Sequence, residues 1–346
     1  MAIKLLIGGS PCTKWSIAQT KDRETQPNSG IGWDLFENYL IAKAKFKPDF
    51  FLYENNKSAA QAIKDEIAKE LGVGVNPDVR FTHINSALVS AQNRQRFYVT
   101  DFGDIEQPED RGILLKDILE TGNDLTRNDK SFTLTTRCSG AIPEDTLRRR
   151  RHTMICEPVG YATPCEWDEN GKPTKAISMA DSKPHIVYEV KDGQITIKGK
   201  QYPIKLPDGY YIIRKLTVRE CARLQTMPDD YCKAVSDSQA YKALGNGWTA
   251  EVIIHLLNHA LKDVPKDEEI VVLSLYDGIA TGRYCLDKMG FTNVTYHAYE
   301  IDKYPIQVAM DNYPDIIQHG DAFAVREDDW KPPQTRSEWL DELLGA

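Results

Sequence analysis

The sequence predicts an α/β protein built on a doubly wound, mostly parallel sheet, with a smaller β-rich unit inserted into it. Two observations carry the prediction. Aliphatic runs at residues 3–7 and 270–275 are short enough for buried strands, stop at glycine-bearing turns and lead towards helical-period stretches, which is the βα alternation of a parallel sheet. Between about residues 105 and 213 that alternation gives way to scattered glycine, proline and charge with hairpin signals, so a separate region interrupts it.

Taken in order, residues 3–7 form the first strand. Gly8-Gly9 ends it, so Ser10, Pro11 and Cys12 stand beyond its carboxyl end, where open α/β sheets gather catalytic groups. Residues 13–33 are polar, contain Gly30 and Gly32, and read as a loop that closes over a substrate. Asp34 then caps a helix through Leu35, Phe36, Tyr39 and Leu40. Residues 49–53 read as the next strand, 59–71 as a helix and 97–100 as a strand. In the inserted region, residues 186–197 read as a hairpin turning at Asp192-Gly193. Helices follow at 217–225 and 250–261, and 270–275 opens a new βαβ unit whose next strand is 295–299. The chain divides accordingly into 1–104, 105–211, 212–262, a charged joint at 263–269 and 270–346.

Composition sets bounds. Hydrophobic residues make up 41% of the chain, no apolar run approaches membrane-spanning length, and no basic-then-apolar leader is present, so a soluble, cytoplasmic protein is expected. Seven cysteines without a C-x-x-C pair point to free thiols rather than a disulfide framework. The net charge of -8 does not by itself suggest a nucleic-acid binder. Local clustering does: Arg148, Arg149, Arg150 and Arg151 form a dense cationic run suited to phosphate, the bland alternative being a solvated loop. His152, Cys156 and Cys165 fit no common zinc-finger spacing, so no metal is expected.

Four segments carry chemistry. Cys12 follows Pro11, which fixes the backbone before it, and a strand-end site next to helix amides favours a thiolate; a buried structural cysteine is the alternative. Glu54 ends the second strand and reaches the same rim, the alternative being a helix-capping carboxylate. In Gln92-Asn93-Arg94-Gln95-Arg96 an extended backbone puts Gln92, Arg94 and Arg96 on one face, although each arginine alone reads as a surface ion-pair partner. Near the other end, Tyr276-Asp277-Gly278-Ile279-Ala280-Thr281-Gly282 is a strand-to-helix turn whose glycines let backbone approach a nucleotide-sized ligand. Glu300 follows the next strand at the distance where an acid reaches ribose hydroxyls.

Together with Arg214-Lys215-Leu216-Thr217-Val218-Arg219-Glu220-Cys221-Ala222-Arg223-Leu224-Gln225, these segments resemble the cytosine-C5 DNA methyltransferases. The cofactor turn is most similar to that of the animal de novo DNA methyltransferases. The resemblance implies a Rossmann-like methyltransferase fold, S-adenosylmethionine as cofactor, double-stranded DNA as partner and a target-recognition role for 105–211. It assigns Cys12 as the nucleophile on cytosine C6, Glu54 as the acid at N3 and Arg96 as the holder of O2. Arg94 is to support the site, with Ser10, Pro11 and Gln92 near the substrate. For the cofactor it implies Tyr276, Asp277, Gly278, Ala280, Thr281, Gly282, Glu300, Ile301 and Asp321, with Asn246 and Trp248 of Gly245-Asn246-Gly247-Trp248-Thr249 closing the pocket. Gly247-Trp248 replaces the family's common Ser-Val pair, which leaves a core role open for Trp248, and Asn56 replaces the usual Val after Glu54-Asn55. In this family the cofactor loop usually comes first, so the chain resembles a circularly permuted member, with Ile3 and Trp330 on one side of the sheet. A transfer-RNA substrate and a catalytically silent DNA-binding accessory stay open as alternatives, as do a cognate restriction nuclease, a phage or bacterial setting and the oligomeric state.

Overall fold

The computed structural model describes residues 2–11, 14–16, 23–159, 177–178 and 184–327. The amino-terminal part contains β1 (Ile3–Gly8), α1 (Ile31–Phe46), β2 (Phe50–Asn56), α2 (Gln61–Leu71), β3 (Arg80–Asn85) and β4 (Gln95–Thr100). The middle part contains α3 (Leu115–Ile118), β5 (Asn123–Asp124), α4 (Pro143–Arg149), β6 (Met154–Val159), β7 (Ile177–Ser178), β8 (Pro184–His185), β9 (Val187–Lys191), β10 (Gln194–Ile197), β11 (Lys200–Pro203) and β12 (Gly209–Lys215). The carboxyl-terminal part contains α5 (Val218–Leu224), α6 (Asp237–Asn246), α7 (Ala250–Leu261), β13 (Ile270–Leu275), α8 (Thr281–Lys288), β14 (Val294–Tyr299), α9 (Lys303–Asn312) and β15 (Ile317–Gln318).

Seven strands form the main sheet in the order β15-β14-β13-β1-β2-β4-β3. All neighbours are parallel except β4, which runs antiparallel to both β2 and β3. Helices cover both faces, which is why β13 is buried at every position and apolar at all but Ser274 rather than alternating. Side-chain alternation along β1 separates two cores: Leu5 and Ile7 join Leu256 and Leu257 of α7 and Cys285 of α8, whereas Leu6 joins Phe36 and Tyr39 of α1 and Ile63 of α2.

The predicted doubly wound α/β sheet is therefore present, and the two predicted nucleotide-side and nucleophile-side strands are direct neighbours. Ile3 pairs with Ile270 and Gly8 with Leu275, while Gly8 also pairs with Tyr53 on the other side. The strand order reverses between β13 and β1, which opens a crevice at their carboxyl ends. The turn after β1, the end of β2 and the turn after β13 all meet there. Trp330 lies outside the described residues.

A second, antiparallel sheet has the order β11-β10-β9-β12-β6-β5 around its own core of Leu125, Met154, Tyr188, Ile195 and Tyr211. Its β9–β10 hairpin turns at Asp192 and Gly193, at φ 53° and 69°, the left-handed pair that a two-residue hairpin turn needs. The expected boundary at 211/212 falls inside β12, because that strand runs unbroken from Gly209 to Lys215. Leu115, Ile118 and Leu134, expected in the inserted unit, pack into the main core instead. Helix α1 starts at Ile31 rather than at Asp34: Gly30 at φ 83° forms the cap position and Asp34 lies in the first turn. No helix among the described residues is long and apolar enough to cross a membrane.

Candidate active site

The turn after β1 is built by close approach. A Cβ on Gly9 would lie 2.3 Å from the Glu54 carbonyl oxygen, so only glycine lets the two strands' ends touch. Beyond it, Ser10 is buried and shares a 2.7 Å hydrogen bond with the Tyr53 hydroxyl. The Asn55 amide donates to the Ser10 carbonyl at 2.9 Å, so β2 clamps the turn from beneath. Ser10 was expected to face substrate; its hydroxyl is instead turned inward, bonded within the protein. Pro11 is half-buried, and Cys12 lies outside the described residues, as do Thr13 and residues 17–22 of the expected closing loop.

Glu54 stands at this rim with both carboxylate oxygens engaged. Its Oε1 pairs with Arg96 Nε at 2.9 Å, and its Oε2 accepts the Trp248 indole N–H at 3.0 Å. The antiparallel β2–β4 register sets Glu54 opposite Tyr98 and Asn56 opposite Arg96, which brings Arg96 diagonally against the carboxylate. The side chains of Glu54 and Arg96 are 12% and 11% exposed, so the pair is screened from bulk water yet open on one side.

The expectation that Gln92 and Arg94 face the same pocket is corrected. The extended backbone of β4 starts only at Gln95, so the two-residue alternation does not carry back to Gln92. Gln92 is fully buried, donating to the Leu224 carbonyl at 3.2 Å and accepting from Leu134 N–H at 2.7 Å. Arg94 is buried too, and its guanidinium donates to the carbonyls of Leu134, Gly245 and Gly247 at 3.1, 3.3 and 2.8 Å. It supports the site by fixing the segment that carries Trp248. Asn246 is exposed beside it.

The turn after β13 uses three left-handed residues, Tyr276, Gly278 and Ala280, at φ 59°, 65° and 58°. Glu300 braces it: Oε2 accepts from Gly278 N–H at 2.9 Å, while Oε1 accepts from the N–H groups of Ile301 and Asp302. Asp277 is sealed beneath, accepting at Oδ1 from the hydroxyls of Ser274 and Tyr296 at 2.7 and 2.6 Å. Its Oδ2 is buried with no hydrogen-bond partner, and burial pushes the carboxyl up to about 6. Gly282 serves packing, since a Cβ there would lie 2.3 Å from Ile7 and 2.7 Å from the Tyr296 hydroxyl. Ala280 and Thr281 are buried.

Of the groups expected on the cofactor, Ile301 is 72% exposed and Asp321 is exposed while capping a turn through Phe323 N–H. Tyr276 is anchored to α1, its hydroxyl donating to the Leu35 carbonyl at 2.7 Å. Sequence reasoning missed Tyr231, which donates to the Ile279 carbonyl at 2.8 Å, and Tyr296; neither sits in a recognisable motif. The arginine run lies at the end of α4, exposed, with Arg149 3.6 Å from Asp145.

The type II methyltransferase M.HpaII of Haemophilus parainfluenzae is 27% identical over 256 residues, covering 70% of this chain and 67% of its own length. M.SsoII of Shigella sonnei is 29% identical over 262 residues, covering 72% and 62%. The chain thus spans about two thirds of the length of these relatives. The solved methyltransferase EhMeth of Entamoeba histolytica aligns at 12% identity and a TM-score of 0.45, covering 75% of this chain and 78% of that one. The family model for C-5 cytosine-specific DNA methylases matches residues 1–262, a stretch that takes in the glycine turn, Glu54, Arg96, the second sheet and Trp248. This chain belongs to the C-5 cytosine-specific DNA methylase family.

Proposed function

We propose that the protein methylates cytosine at C5 in double-stranded DNA, with S-adenosylmethionine, the cofactor of this family, as methyl donor. The observation that supports it most is the Glu54–Arg96 pair, 2.9 Å apart and set against the glycine turn that leads into Cys12. Cytosine C5 is a poor nucleophile. Cys12 overcomes this by adding its thiolate to C6, while Glu54 shares a proton with N3 so that electron density moves onto C5. Arg96 orients the carboxyl group and reaches O2. After methylation a proton leaves C5 and Cys12 is expelled, which restores the ring.

The turn after β13 suits the cofactor. Gly278 has open space where a side chain would stand, so a ligand can approach the backbone of the turn that Asp277 supports from beneath. Glu300 Oε2 accepts one N–H from Gly278 and retains a lone pair for a ribose hydroxyl. Ile301 offers exposed apolar surface for the adenine face, and Asp321 an acceptor for its amino group. When bound, S-adenosylmethionine supplies a methyl group on a sulfonium centre. The second sheet is the region we assign to target recognition, and the base must leave the duplex to reach the rim, at a cost of a few kcal/mol offset by phosphate contacts.

The test is transfer of label from S-adenosylmethionine to unmethylated duplex DNA, with bisulfite sequencing to locate the product. Cys12→Ala is expected to abolish transfer, and duplex containing 5-fluorocytosine, which cannot release a proton from C5, to trap the enzyme covalently. Transfer by Cys12→Ala at the normal rate, or label appearing in RNA and not in duplex DNA, would overturn the reading.

A further inference from the structure

We propose that Trp248 is a positioning residue for the reaction: its indole N–H holds the Oε2 edge of Glu54 while Arg96 holds Oε1, which presents the carboxyl group to the base in one orientation. The inference rests on the role proposed above for Glu54. It differs from the cofactor contact expected of Trp248 from the sequence.

The donor is itself rigidly mounted. The residue before it, Gly247, has its carbonyl fixed by Arg94 Nη2 at 2.8 Å and by Gln225 Nε2 at 3.2 Å. The residue after it, Thr249, is buried and bonds through Oγ1 to Ser86 Oγ and Gln225 Oε1, both at 2.9 Å. The indole packs against the main core. With both neighbours anchored, few ways remain for the ring to turn, so the N–H is a preorganised donor. The acceptor needs such a donor, because a carboxylate held at one oxygen still rotates about its last torsion, a broad and nearly two-fold one. Each oxygen keeps a second acceptor position after these bonds, so holding Glu54 does not block the base. A consequence is that the segment leading into α7, expected to close the cofactor pocket, is mechanically joined to the base pocket through one hydrogen bond.

The experiment uses the full chain and compares Trp248→Phe, Glu54→Ala and the double variant. With saturating S-adenosylmethionine, Trp248→Phe is expected to lower kcat about ten-fold, the effect of losing one hydrogen bond to a charged group. Its dissociation constant for S-adenosylhomocysteine should stay within about two-fold of wild type. In the Glu54→Ala background the same substitution should change kcat less than about two-fold, since the group it positions is gone. A large loss of cofactor affinity with kcat intact at saturation would make Trp248 a cofactor contact and overturn the proposal. So would a ten-fold effect that persists without Glu54. Wild-type kcat in Glu54→Ala would instead remove the role of Glu54, and this inference with it. The contact is also read directly in the free protein by NMR: of the six tryptophan indole N–H signals, the one absent from Trp248→Phe should move upfield in Glu54→Ala. Should Trp248→Phe not fold, Glu54→Ala alone decides, and no moving indole signal overturns the contact.

Discussion

A carboxylic acid sealed in the rim of a sheet must either find hydrogen bonds for both oxygens or hold its proton more tightly, and Asp277 does the latter. Two hydroxyls satisfy Oδ1, none satisfies Oδ2, and burial raises the group from 3.8 to about 6. The folded form therefore binds more protons than the unfolded chain between these values, so stability falls as pH rises from about 4 to 6 and stays lower above that. That difference corresponds to about 3 kcal/mol. Asp277→Asn should then unfold at a higher temperature than wild type at pH 7.5, with the gap narrowing between pH 6 and pH 5, and should bind S-adenosylmethionine more weakly. Thermal melts at these pH values, paired with calorimetric titration, check both halves; an unchanged gap across pH would refute the titration argument. Glu54 and Arg96 were legible in the sequence because each stands in a local motif beside a strand end. Trp248 was not legible as a Glu54 partner, since that contact joins positions 194 residues apart. Gln92 and Arg94 were misplaced because strand alternation was extended past the point where β4 begins.

At the scale of elements, α5 shows how the longest family-like segment acts as a brace. Thr217 and Glu220 form a reciprocal cap, Thr217 Oγ1 accepting from Glu220 N–H at 3.1 Å and Glu220 Oε2 accepting from Thr217 N–H at 2.8 Å. The Glu220 carboxylate is fully buried and also binds Arg214 Nη1 at 2.8 Å, while Arg214 Nε reaches Glu157 of β6 at 2.6 Å. One arginine thus ties β12 of the second sheet to its neighbour and to the helix that packs on the main core. Thr217→Ala should cost about 1 kcal/mol in urea denaturation, the value of a cap. Glu220→Ala should cost about 3 kcal/mol, because it removes the buried carboxylate shared by the cap and by Arg214, which is left with Glu157 alone as its ion-pair partner. Equal losses would mean that the cap, not the ion pair, carries the brace. The start of α5, the Asp192-Gly193 hairpin and β13 were all readable, since capping residues, a left-handed turn pair and a short aliphatic run are local signals. Strand β3 was not, because RFTHIN at the sheet edge is mostly half-exposed and lacks an apolar face. Helix α1 was placed late because Asp34 resembled a cap, whereas the glycine at φ 83° performs the turn.

At the scale of the whole molecule, charge and chain order each yield a prediction. The exposed Arg148 to Arg151 lie in a chain of net charge -8, so their attraction for phosphate is local. Replacing all four with alanine should weaken DNA binding broadly and reduce the slope of log affinity against log salt by up to about 3 to 4, near 0.9 for each phosphate that is no longer neutralised. An unchanged slope would return the run to a solvated helix end. Chain order is the second matter. The main sheet sets β1 beside β13, with Ile3 N–H donating to the Glu269 carbonyl at 2.8 Å, and the family match stops at residue 262, before the cofactor turn. We read this as a permuted order in which 263–269 joins what are elsewhere two chain ends; a joint of that length spans at most about 25 to 30 Å. The joint can then be reopened without harm to the sheet. The cut belongs near Asp263, since Lys266 farther along accepts from Thr292 N–H at 2.9 Å and lies over the Phe291 ring. A chain opened there, with Ala346 linked to Met1 by a flexible spacer, should be soluble, should melt cooperatively and should transfer methyl groups at a rate near that of the original. Because β1 and β13 pair whichever end of the chain is made first, the hydrogen-bonded core of the sheet is the same in both orders and only the loop-closure entropy differs. Aggregation of the recut chain across several spacer lengths would show that 263–269 is part of the fold rather than a joint, and the permuted reading would fall.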